Sequence, residues 1–161
     1  MDSKTQKLLT DGLIAGYAGQ SELSDVIRST FVGKQSDFSV GDGIYHDEWF
    51  AHEIGGGQEL VDAGGSKFTR LYAGGSLEAK SVKSLGIAQQ DISDFLKKQL
   101  IDLGGKTRLL DDCLPAPVGD WQYFYRILER HSSIPITTGR ESITYKGTEV
   151  HIHQFMICCI K

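Results

Sequence analysis

The stretch Tyr45-His46-Asp47-Glu48-Trp49-Phe50-Ala51-His52-Glu53 concentrates aromatic, imidazole and carboxylate side chains. In an extended strand, alternate residues share a face. Tyr45, Asp47 and Trp49 then form one hydrogen-bonding and stacking surface. Ile44, His46, Glu48 and Phe50 take the other. A histidine beside a carboxylate is the pairing that general acid–base catalysis uses. The bland counterpart is a half-exposed strand with its charges in water. A second cluster is His151-x-His153, two imidazoles on one strand face, ~6.5–7 Å apart along the backbone. Such a pair shares a metal only if a third ligand arrives from elsewhere, for example His46, His52, His131 or a carboxylate. The usual role of such a pair is a surface ladder, and no metal site is assigned.

Several established motifs are missing. There is no His-Glu-x-x-His, no Cys-x-x-Cys and no EF-hand loop. Gly55-Gly56-Gly57-Gln58 lacks the Gly-Lys-Ser/Thr of a phosphate loop, and it opens no helix as a dinucleotide fingerprint does. Gly74-Gly75-Ser76 has the composition of a phosphate nest only. No Gly-x-Ser-x-Gly elbow is present. The three cysteines, Cys113, Cys158 and Cys159, are an odd number behind an N-terminus without an apolar signal segment. They fit packed thiols in a reducing, cytoplasmic compartment better than a disulfide framework.

These groups need elements to hold them. Ser3-x-x-Gln6 has the form of a capping box. Leu9, Leu13 and Tyr17 continue from it as one helical face, widened by Leu8 and Ile14. Gly12 and Gly16 lie one turn apart on that helix, as a close approach to a sheet would require. Residues 18–42 are polar, with a short helical turn expected over Ser21 to Ser29. From Gly43 the pattern becomes β-like. Gly55-Gly56-Gly57 reads as a break. Short strands follow over Glu59 to Asp62 and over Lys67 to Ala73, joined at Gly64-Gly65. Ile92, Phe95, Leu96, Leu100 and Leu103 mark a second helix, closed by Gly104-Gly105. Strands are expected over Trp121 to Arg130, Glu141 to Tyr145 and Thr148 to Ile160. In the last, Val150, Ile152, Met156, Cys158 and Ile160 should line one face.

The element string, helix and three strands twice over, suggests a duplication. Gly41-Asp42-x-x-Tyr45 matches Gly119-Asp120-x-x-Tyr123. Gly57-x-Glu59-x-Val61-x-x-x-Gly65-Ser66 matches Gly139-x-Glu141-x-Ile143-x-x-x-Gly147-Thr148. The halves run approximately over 3–75 and 87–160. Glu59 and Glu141 then occupy equivalent places. They either anchor turns by accepting backbone N–H groups or supply paired carboxylates to a site between the halves.

The residues Ser36-Asp37-Phe38, Gly41-Asp42-Gly43-Ile44-Tyr45-His46-Asp47, Gly57-Gln58-Glu59-Leu60-Val61, Gly65 and Tyr72-Ala73-Gly74-Gly75 resemble a bacterial domain of unknown function. That domain is often found C-terminal to helix-turn-helix regulators. Gly119-Asp120-Trp121-Gln122-Tyr123 is similar to an element of its second half. The resemblance covers roughly residues 8–147. The chain departs from the pattern at Phe68-Thr69-Arg70-Leu71-Tyr72 and in its closing strand, and it carries no helix-turn-helix. The resemblance implies Tyr45, Asp47, Gln58, Glu59 and Tyr72 as motif positions, and it implies no chemistry for them.

The 161 residues are a one-domain length. Apolar residues at 40% and charged residues at 24% are ordinary for a folded protein and exclude disorder, coiled coil and collagen. The formal charge of −4 lacks the basic footprint of a phosphate-backbone binder, so direct contact with nucleic acid is not expected. No apolar run reaches the ~18–20 residues of a membrane span. The expectation is therefore an α+β domain over 1–161. Two αβββ repeats would form it, with antiparallel sheet packed against two helices and a pocket on the open sheet face or between the halves. Its expected role is a cytoplasmic, regulatory binding domain for a small molecule or a protein partner, through Tyr45, Asp47, Trp49, Gln58, Glu59 and Tyr72. The alternative is a small hydrolase or isomerase using Asp47, Glu59 and a histidine. The cofactor and the oligomeric state are both left open.

Overall fold

The computed structural model describes residues 3–19, 23–51, 53–108 and 110–161, with Arg108 described by its backbone. Helix α1 (Ser3–Leu13) runs into a π-helical turn over Ile14–Ala18. Five strands follow: β1 (Leu23–Arg28), β2 (Phe31–Val40), β3 (Gly43–Ala51), β4 (Ile54–Asp62) and β5 (Lys67–Ser76). Then come α2 (Ala79–Ser84), α3 (Gln89–Leu103) and a 3-10 turn over Gly104–Arg108. The chain closes with β6 (Trp121–Arg130), β7 (Ile136–Tyr145) and β8 (Thr148–Ile160). All eight strands join one antiparallel sheet in the order β1-β2-β3-β4-β5-β8-β7-β6. The architecture is mixed α+β. No helix among the described residues is long and apolar enough to cross a membrane.

This string departs from helix and three strands twice over. Among the described residues, the first half carries five strands, and there are three α-helices rather than two. The helical turn expected over Ser21 to Ser29 is instead β1, from Leu23 (Ser21 lies outside the described residues). Along β1 only Val26 is buried, so no alternation announces a strand. Its pairing with β2, from Leu23 opposite Ser36 to Arg28 opposite Phe31, supplies the order that pattern does not.

Gly55-Gly56-Gly57 is not a break but part of β4, paired with Ala51, Phe50 and Trp49 on one side and with Gly74, Ala73 and Tyr72 on the other. The absent side chain serves a purpose at Gly57. A Cβ there would lie 2.5 Å from Tyr72 Oη, so the tyrosine ring lies across the glycine. Gly139 stands in the same relation to its cross-strand partner Phe155, whose Cζ would be 2.2 Å from a Cβ.

In β8 the alternation resets. Ile143 pairs with His151 but Thr144 pairs with Glu149, leaving Val150 as the extra residue of a bulge. Val150 and His151 are both buried. Beyond the bulge Phe155 and Ile157 are buried, while Met156 and Ile160 are exposed. The expected single face of Val150, Ile152, Met156, Cys158 and Ile160 is thus split by the bulge.

The buried cluster joins Leu8, Leu9 and Leu13 of α1, Ile92, Phe95, Leu96 and Leu100 of α3, and strand residues including Tyr45, Val61, Tyr123, Ile143 and Phe155. Helix α3 starts with Asp91 Oδ2 accepting the Ala88 N–H at 2.7 Å and ends at Gly104, whose φ of 54° suits glycine. Helix α1 and the π-helical turn after it sit close to the sheet because of Gly12 and Gly16. A Cβ at Gly12 would lie 2.5 Å from Tyr45 Cγ, and one at Gly16 would lie 2.4 Å from Ser36 Oγ. Gly to Ala within a helix ordinarily gains about 1 kcal/mol. Here Gly12→Ala is expected to lose about 1–3 kcal/mol, because the Tyr45 ring is fully buried and cannot yield. Urea unfolding of the variant reads the sign directly.

Candidate functional site

At the centre of the sheet lies a buried polar network. Tyr45 Oη donates to Glu59 Oε1 at 3.1 Å, and Tyr123 Oη donates to Glu141 Oε1 at 2.5 Å. The two pairs are built alike. Tyr45 stands opposite Val61 in the β3–β4 register, and Tyr123 stands opposite Ile143 in the β6–β7 register. In each, the glutamate precedes the aliphatic partner by two residues and lies on the same face. Both carboxylates approach one guanidinium. Arg70 Nη1 is 3.5 Å from Glu59 Oε2, and Arg70 Nη2 is 3.9 Å from Glu141 Oε2. All three side chains are about 1–2% exposed. The carboxylates therefore meet through Arg70, which sequence reading did not single out. A lone arginine in the inward phase of Phe68-x-Arg70-x-Tyr72 was the available signal.

The rings of Tyr72 and Phe155 flank that guanidinium, with centroids 5.1 and 4.7 Å from Arg70 Cζ. These are the two rings that lie across Gly57 and Gly139. Tyr72 Oη donates to Asp47 Oδ1 at 2.9 Å. Burial, with the Asp47 and Glu59 charges beside it, holds the Tyr72 hydroxyl well above its ordinary pKa, so it stays a donor. His153 Nδ1 lies 3.4 Å from Glu141 Oε2. His151 Nδ1 lies 3.1 Å from Ser76 Oγ, and the two imidazole centroids are 4.5 Å apart. Burial, then the neighbouring His153, push the His151 pKa down to about 4, against a smaller opposing effect of Glu141. It is neutral at pH 7.

Above this network, between the sheet and α3, lies a cavity open to one side. Arg70, Asp47, Tyr72, Glu141, His151 and His153 form its polar wall. Tyr17, Trp49, Leu96 and Leu100 form its apolar wall, and Gly56, Gly74 and Gly75 border it. Tyr17 meets Trp49 edge to face, centroids 5.8 Å apart. The cavity is on the side where α3 lies, not on the open sheet face.

The residues singled out from sequence are thus distributed in three places. Asp47, Trp49 and Tyr72 line the cavity. Tyr45 and Glu59 are buried in the network below it. Gln58 is exposed and bonds Thr69 Oγ1 at 2.9 Å. His46 pairs with Asp37 at 2.7 Å, and His131 Nδ1 accepts the Ser133 and Ile134 N–H groups of its own turn. His52 lies outside the described residues. Among the described residues, no group of three or more histidine, cysteine or acidic side chains could hold a metal ion. The arrangement can hold a small organic molecule, or place His153 and Glu141 against one. Comparison of the chain with protein-family models, curated proteins and solved structures finds no match.

Proposed function

We propose that this chain is a non-catalytic binding domain of regulatory type, cytoplasmic, which takes a small organic ligand into the cavity between the sheet and α3. One observation carries the reading. Arg70 is 1% exposed, yet its Nε and Nη2 have no hydrogen-bond partner. Buried polar groups are nearly always satisfied, and a guanidinium edge without a hydrogen-bond acceptor in a residue of the cavity wall fits a place for a ligand acceptor. His151 Nε2, in the same wall, is likewise buried and unpartnered.

The domain arose, in this reading, by duplication. The turn Gly41-Asp42 is bracketed by Val40 opposite Gly43, and Gly119-Asp120 by Val118 opposite Trp121. Both glycines have φ of 60°. Residues 113–118 run beside β6 as β2 runs beside β3, bridging at Cys113 and Tyr125. The Tyr–Glu pairs and the glycine–aromatic pairs repeat as well. The ligand cavity then sits where two related halves meet, and Arg70 breaks their symmetry.

Native mass spectrometry of the purified protein beside a denatured control tests this. The expected result is an excess mass lost on denaturation and diminished in Trp49→Ala. Bare protein, with no thermal stabilisation by any member of a metabolite panel, would count against the reading.

A second reading rests on the 3.4 Å approach of His153 Nδ1 to Glu141 Oε2, an acid–base pair at the cavity wall. It relocates the hydrolase or isomerase alternative to Glu141, which a tyrosine and Arg70 hold just as they hold Glu59, but which has His153 beside it. Turnover of a bound carbonyl compound, lost in His153→Gln with binding kept, would favour it.

A further inference from the structure

The cavity wall also constrains the ligand's chemistry, and the argument rests on the binding role just proposed. Arg70 Nη1 is directed at Glu59, leaving Nε and Nη2, the side-on edge of the guanidinium. That edge carries two parallel donors and requires an acceptor. Glu141 Oε2 stands 3.9 Å from Nη2, beyond hydrogen-bond reach. Donor and acceptor are thus side by side without satisfying each other. A carboxylate ligand would match the Arg70 edge but would enter beside Asp47 and Glu141. An ammonium ligand would suit those carboxylates but would leave the edge unmet and add a second positive charge beside it. A group with an acceptor and a donor on adjacent atoms answers both sides without net charge.

We infer that the cavity takes an uncharged, planar cyclic amide: its carbonyl oxygen accepts from the Arg70 Nε/Nη2 edge, and its adjacent N–H donates to Glu141 Oε2. A carboxylate oxygen has room for more than one donor, so its existing contacts do not bar this. The flat body of the ligand points to the Tyr17, Trp49, Leu96 and Leu100 wall, where aromatic faces suit a planar ring. His151 Nε2 meets a further polar atom of the ring system. Oxo-substituted nitrogen heterocycles present this edge.

The test uses the full chain, tryptophan fluorescence or calorimetry, and four bicyclic probes of similar size. They are isoquinolin-1(2H)-one, its N-methyl derivative, 1-naphthoate and 1-naphthylmethylammonium. The lactam is expected to bind best, and N-methylation to weaken it about tenfold or more, the worth of a hydrogen bond to a charged group. Arg70→Lys, which keeps the charge but loses the fork, should weaken the lactam by a similar factor. If that variant does not fold, the N-methyl comparison decides alone, because it leaves the protein unchanged. Equal binding of the N-methyl compound, or tighter binding of the naphthoate or the ammonium, would overturn the amide assignment while leaving a ligand cavity. Binding of none of the four would also overturn it; the binding role itself would then stand or fall on the retained mass described above.

Discussion

Arg70→Met is expected to lower the unfolding free energy by about 3–5 kcal/mol, the cost of removing one partner from a buried ion pair. Methionine matches much of the volume and packs well against the rings of Tyr72 and Phe155. The loss therefore reports charge rather than shape. Without the guanidinium, Glu59 and Glu141 remain about 1% exposed and lose the cation between them. Urea unfolding at pH 7 measures this. Adding Glu59→Gln and Glu141→Gln to Arg70→Met removes both charges, and the amides can still accept from Tyr45 and Tyr123. That triple variant should recover a large part of the loss, because the three residues form one network and their effects do not add. A loss below about 1 kcal/mol for Arg70→Met would show that the carboxylates do not depend on Arg70.

Acid should destabilise the protein through His151. Its pKa falls from 6.5 when unfolded to about 4 in the fold. A depressed folded-state pKa favours the neutral form in the folded protein. The stabilisation is then fully present above pH 6.5 and is lost as the pH falls through 4. The unfolded chain binds the proton first, and the full difference is worth about 3 kcal/mol. The groups facing the imidazole are His153, Glu141 and Ser76. Urea unfolding of wild type and His151→Leu at pH 7, 5.5 and 4 isolates the effect, because the other carboxylates and histidines titrate in both proteins. The variant should be less stable than wild type at pH 7 and should lose less on acidification. Parallel acid slopes would remove His151 as their cause.

The sequence legibly carried those elements whose pattern repeats at one period. The helix marked by Ile92 to Leu103 and the strand Trp121 to Arg130 stand in the fold where their apolar spacing places them, and the strand Thr148 to Ile160 keeps its expected bounds but not its single face. Alternation also placed Tyr45, Asp47 and Trp49 on one face. Where a strand has no buried alternation, as in β1, or where glycines replace side chains, as in β4, pattern is silent and pairing with neighbours decides. The β8 bulge is a third case. An inserted residue reverses the faces beyond it, and only the partner strand reveals which residue is extra.

The candidate site divides in the same way. Local chemistry singled out the Tyr45–Trp49 face, the equivalent glutamates and the two histidines. It did not bring Glu59 and Glu141 to Arg70, because that meeting requires β5 and β8 to be neighbours at the centre of the sheet, with β4 and β7 outside them. Nor did it separate Gln58, on the far face, from Glu59 beside it in the chain. By itself the sequence determined the α+β composition, the periods of the long elements and the inventory of polar groups, all of which depend on near neighbours along the chain. The tertiary structure alone decided which of those groups are buried, which share one guanidinium and which face the cavity, because burial and charge pairing depend on contacts between strands far apart in sequence.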